Sequence, residues 1–200
     1  EEKRYGQTAV LGPIELSIDA GETLAITGPS GIGKTTLLRI LAGLDGDFRG
    51  RVERPERIAM VFQEPTLLPW RSVLQNITLA TGAGDGAANR VLSEVGLDGQ
   101  AGKFPGQLSL GQQRRLSLAR AFSADPQLLL MDEPFVSLDP DLVEEMLKLT
   151  ERLLQTRRVA TVLVTHTAAE AERLATRITR LEGQPARLVE LRGGALRRGG

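Results

Sequence analysis

The chain of 200 residues has no cysteine, so disulfides, thiolate metal sites and cysteine nucleophiles are all excluded. That absence fits a reducing compartment. Neither charge sign is in excess: Lys plus Arg and Asp plus Glu each total 25. No net field draws the protein towards DNA or anionic lipid, and a nucleic-acid role would need a local patch. Long apolar runs are missing as well. Apolar stretches such as residues 128–131 and 162–164 fall far below the roughly 20 residues that span a bilayer. The charged opening Glu1-Glu2-Lys3-Arg4-Tyr5 is not followed by an apolar stretch, so no signal peptide is expected. The first residue is not Met, which points to a start inside the natural chain and a first strand that is incomplete.

What is present reads as one domain, with 41% apolar residues to fill a single core. Short, continuously apolar runs alternate with helical patterns: residues 24–27, 58–62, 128–131 and 160–164. That alternation predicts an α/β fold with a mostly parallel sheet buried on both faces by helices. A helix over residues 35–42 is expected to end at Gly43. Residues 71–115 turn to Gly, Ala and short helical pieces and read as a helical insertion, leaving about 1–70 and 116–200 as the core. Residues 186–191 read as a last strand, and residues 192–194 as a frayed tail.

Gly28-Pro29-Ser30-Gly31-Ile32-Gly33-Lys34-Thr35 fits GxxxxGK[ST] after a strand and at a helix start. The glycines let backbone N–H groups turn inward around a β-phosphate, and the helix N-terminus adds partial positive charge. Lys34 would bridge β- and γ-oxygens, and the Thr35 hydroxyl, followed by Thr36, would meet Mg²⁺. The pattern identifies a nucleoside triphosphate site without saying which machine uses it. Asp132 and Glu133 follow the apolar run 128–131, and strand C-termini are where parallel sheets bind ligands. Asp132 suits a Mg²⁺ ligand, and Glu133 suits the polarisation of an attacking water.

Leu108-Ser109-Leu110-Gly111-Gln112 looks like the LSGGQ signature of ABC transporters, with Leu110 in place of the first glycine. Taken locally, Ser109 and Gln112 also form a capping box that opens a helix. With the phosphate loop and the carboxylate pair, these residues make the chain resemble the nucleotide-binding subunits of that family nearly end to end. The resemblance implies a P-loop NTPase core with a small antiparallel β part at the N-terminus and an inserted helical subdomain. It implies ATP and Mg²⁺, and a head-to-tail dimer, with itself or a related subunit, in which Ser109, Gly111 and Gln112 of one copy meet the ATP of the other. It further implies Gln63 as the Q-loop residue near Mg²⁺ and water, Asp139 in the D-loop at the dimer seam, His166 on the γ-phosphate and Tyr5 against adenine.

Asp139 before Pro140 is also an ordinary helix start. Thr167 stands where the family usually has Asp, but Thr167-Ala168-Ala169-Glu170 spells a capping box that would start the next helix. The run Leu67-Leu68-Pro69-Trp70, followed by Val73 and Asn76, is similar to importers of nitrate, taurine and other sulfonates. That branch implies a separate permease docking near the Q-loop and Trp70, an indirect periplasmic-type binding protein, a peripheral place on the cytoplasmic face of the inner membrane and no nucleic acid. No C-terminal regulatory domain is expected after Leu191. The competing readings are an ABC-type ATPase acting on the ribosome or DNA, and a scaffold that dimerises on nucleotide without hydrolysis.

Overall fold

A computed structural model describes residues 3–5 and 8–191. Two short strands, β1 (Lys3–Tyr5) and β2 (Thr8–Leu11), pair antiparallel at the N-terminus. The main sheet has six strands: β3 (Thr23–Thr27), β4 (Ile58–Val61), β5 (Leu128–Asp132), β6 (Ala160–Val164), β7 (Arg177–Glu182) and β8 (Arg187–Glu190). Their spatial order is β4-β5-β6-β3-β7-β8, all parallel except β8, which runs against β7. The α/β class and the mostly parallel sheet are as the sequence predicts. The expected last strand is β8, and residues 192–194, read as a tail, lie outside the described residues.

Alternation along β5 shows how the sheet divides the core. Leu129 and Met131 join a cluster that includes Phe122 and Leu116, while Leu128 and Leu130 face the opposite layer with Leu24, Ile26 and Leu37. Every residue of β5 is buried, so this strand has no solvent face to position. Each such Leu is worth about 1.5–3 kcal/mol in transfer free energy, which makes a one-residue slip prohibitive.

Helix α1 (Lys34–Leu41) follows β3 and packs on β5 and β6. It stops at Gly43, as expected: the Gly43 N–H donates to Ile40 O at 3.0 Å and the Leu44 N–H to Arg39 O at 2.9 Å, a paired closure that needs the positive φ of 75° at Gly43. Between β4 and β5 lie α2 (Val73–Thr81), α3 (Asp85–Glu94) and α4 (Leu110–Ser123), which pack on one another. Helices α5 (Pro140–Arg157) and α6 (Ala168–Leu174) complete the fold. No helix among the described residues is long and apolar enough to cross a membrane.

Candidate nucleotide site

Strand β3 delivers the chain into the glycine-rich loop. Gly28 has φ 146°, and a Cβ there would stand 2.9 Å from the Leu181 carbonyl on β7, so both conformation and space demand glycine. The Ile32 N–H turns back to Pro29 O at 3.4 Å, and Ser30 and Gly31 stay exposed. Gly33, at φ 110°, opens α1 without a side-chain cap. Among the described hydrogen bonds, none is donated by the backbone N–H of Gly33, Lys34, Thr35 or Thr36. These free donors at a helix N-terminus form a ready anion site. Lys34 is only 4% exposed, and its Nζ donates to the carbonyls of Gly28 at 2.9 Å and Pro29 at 3.0 Å.

The end of β5 brings two acids to this loop, and the turn after β6 brings His166. Thr35 Oγ1 donates to Asp132 Oδ1 at 3.2 Å. Burial pushes the Asp132 carboxyl above the usual range; the Thr35 hydrogen bond and Lys34 oppose that shift, and the Glu133 charge adds to it. A hard hydroxyl and a hard carboxylate side by side suit Mg²⁺, which takes few protein ligands and fills its octahedron with phosphate oxygens and water. The residues present therefore fit the metal. Glu133 turns out of β5 with φ 45°, a left-handed conformation rare for a side chain with a Cβ, and its N–H is held by Val164 O at 3.0 Å. Its carboxylate lies between two cationic or polar partners: Oε1 is 3.4 Å from Lys34 Nζ and Oε2 is 3.0 Å from His166 Nδ1. His166, just beyond β6, is half exposed.

The other residues singled out from the sequence are spread around this cluster. Gln63 is exposed and follows β4, whose register puts Val61 beside Met131, so it leaves the sheet at the same end as Glu133. Ser109 caps α4: its Oγ accepts the Gln112 N–H at 3.2 Å, and Gln112 Oε1 accepts the Ser109 N–H at 3.0 Å. No described hydrogen bond joins Ser109, Gly111 or Gln112 to residues 28–35 of the same chain. Leu110 is exposed, and a Cβ at Gly111 would stand 2.8 Å from Leu142 Cδ1. Asp139 caps α5, accepting the Leu142 N–H at 3.0 Å. Tyr5 lies on β1, and its side chain is outside the described residues.

One local expectation is corrected. Thr167 makes no side-chain cap for α6, and Glu170 does not reach back to it. Glu170 accepts instead from the Thr165 hydroxyl, whose oxygen also takes the Thr167 N–H at 3.0 Å. The inward pull of a buried hydroxyl outweighs the local box.

Three residues were not legible as site residues. Arg114 on α4 donates to the carbonyl of Gln63, and Arg120 to the carbonyls of Pro65 at 3.1 Å and Thr66 at 2.8 Å, so α4 fastens the segment after β4. Burial lowers the pKa of both guanidinium groups, and the charge of Glu64 works the other way at Arg114. Asn76, fully buried, binds the Leu68 N–H at 2.7 Å and the carbonyls of Leu68, Arg71 and Ser72 at 3.0–3.1 Å. Its amide builds the turn that leaves Trp70 67% exposed. A V-x-x-N spacing alone carries no sign of that task.

The ABC transporter family matches residues 11–136. An aliphatic sulfonates import ATP-binding protein (SsuB 3) of Paraburkholderia xenovorans is 45% identical over 179 residues, covering 88% of this chain and 72% of that protein. Another (SsuB 2), of Rhizobium johnstonii, is 45% identical over 192 residues, covering 94% and 76%. The solved dimer of the ATP-binding cassette MJ0796, in a post-hydrolysis state with ADP and Pi, superposes with a TM-score of 0.80 at 29% identity and 96% coverage of both chains. Phosphate loop, paired carboxylates and capped signature helix occur together on this fold because the chain belongs to the ABC transporter family, as an ATP-binding subunit.

Proposed function

We propose that the chain hydrolyses ATP to power import of a small organic anion, of which an aliphatic sulfonate is the best-supported example, through a separate permease. The observation that carries this reading is the meeting of Lys34, Thr35, Asp132, Glu133 and His166, from the starts and ends of different elements, in one cluster linked by contacts of 3.0–3.4 Å. The free N–H groups of the loop and the Lys34 ammonium hold the phosphates. Thr35 and Asp132, with Gln63 nearby, would hold Mg²⁺, which neutralises phosphate charge. Glu133 takes a proton from the water that attacks the terminal phosphorus, yielding ADP and phosphate, and His166 steadies the terminal phosphate.

The signature helix makes no described hydrogen bond to its own loop, which supports a second copy as donor of Ser109 and Gly111. The relatives' names support the cargo and the direction. A permease is then the partner. Exposed Trp70, set by Asn76 beside the segment after Gln63, is the apolar anchor we assign to it at the cytoplasmic face of the membrane. A periplasmic-type binding protein acts only through that permease. Replacing Glu133 with Gln should lower ATP turnover by about a hundredfold or more while ATP binding persists; equal turnover of variant and parent would remove Glu133 from the mechanism.

A further inference from the structure

Glu170 is a carboxylate only 8% exposed in the first turn of α6, and nothing in the hydrolytic scheme uses it. Burying an ionised group is costly unless it is hydrogen-bonded. Its recorded partner is the hydroxyl of Thr165, itself 1% exposed. That hydroxyl has one proton, given to Glu170, and lone pairs, one of which accepts the Thr167 N–H at 3.0 Å. The Thr165 N–H is held in turn by Ile26 O of β3 at 3.2 Å. Both neighbours of His166 are thereby tied down, while the half-exposed imidazole contacts Glu133 at 3.0 Å. A glutamate three residues into a helix could satisfy the helix start by itself, at the surface. Here Thr167 is left without a side-chain cap and the carboxylate is sent inward.

We propose that Glu170 is a positioning residue: acting through Thr165, it fixes the turn 165–167 so that His166 is presented to Glu133 and the terminal phosphate. The catalytic part of this rests on the reading of His166 given above. The turn is short, and a misplacement of about 1 Å at a reacting group is worth about a hundredfold in rate.

The test uses the untagged chain, whose sequence holds one histidine, so the imidazole resonances belong to His166 alone. Thr165→Val removes the hydroxyl and keeps the shape; Thr165→Ser keeps the hydroxyl. The imidazole signals should shift or broaden in Thr165→Val and return to the parent positions in Thr165→Ser. ATP turnover should fall about tenfold or more in Thr165→Val and fall no further when the same change is made in a His166→Ala background. Glu170→Ala opens the same contact from the other side and gives the same readouts if Thr165→Val does not fold. Signals that stay at the parent positions overturn the proposal, and so does a turnover loss of equal factor in both backgrounds. Full turnover of His166→Ala by itself would instead remove His166 from phosphate binding, and the resonances would still decide the positioning.

Discussion

Asp132 is set against its surroundings. Its burial raises the carboxyl pKa in spite of Thr35 and Lys34, so the folded chain binds a proton that the unfolded chain has already released. Stability therefore falls as pH rises from the unfolded carboxylate value, about 3.9, through the raised folded value, and stays lower above it. Asp132→Asn keeps the shape beside Thr35 without the charge. It should melt above the parent at neutral pH in metal-free buffer, a domain of this size gaining about 2–4 °C per kcal/mol. The advantage should shrink as pH drops through that window, and Mg²⁺-dependent turnover should be lost. A parent that melts as high as Asp132→Asn at neutral pH would contradict this. The pairing of Asp132 with Thr35 is legible in the sequence as two motifs; the opposing electrostatics are not, because burial depends on which strands flank β5.

At the scale of elements, the start of α4 is a structural cap to which the proposed function adds a second task, facing the phosphate of a partner copy. Ser109→Ala should cost about 1 kcal/mol through the lost Gln112 contact, lowering the melting midpoint by about 2–4 °C. Ser109→Asp separates the two tasks. Asp caps as well as Ser, so melting should stay within a few tenths of a kcal/mol of the parent, while a negative charge facing phosphate should abolish the ATP-dependent dimer on gel filtration. A dimer that persists would confine Ser109 to capping. Strands of continuous apolar residues were legible because both faces are covered. Strand β7 was not: Arg177, Arg180 and Glu182 interrupt its pattern, and its inward side is made partly by Thr179, whose hydroxyl reaches Ala25 O at 3.3 Å. The failed box at Thr167 has the same origin, a local pattern overruled by a partner from the neighbouring strand turn.

For the whole molecule, the proposed function puts the phosphate loop and the signature in different halves of a working site. The total rate should therefore be second order in chain concentration on dilution at saturating ATP, so that turnover per chain falls in proportion to concentration; a specific rate that does not change with concentration would mean that one chain suffices. The fold class was readable from the order of short apolar runs, and much of the site from motif spelling. The fastening of residues 63–66 to α4 by Arg114 and Arg120 was not, since arginine on a helix ordinarily reads as solvated surface.

Trp70, held out into solvent by the buried amide of Asn76, is the only indole in the sequence. The protein thus carries its own optical reporter at the surface assigned to the permease. Its emission should resemble that of an indole in water for the free chain, and should move to shorter wavelength when a membrane partner covers the ring, whereas ATP added to the free chain should leave it where it is.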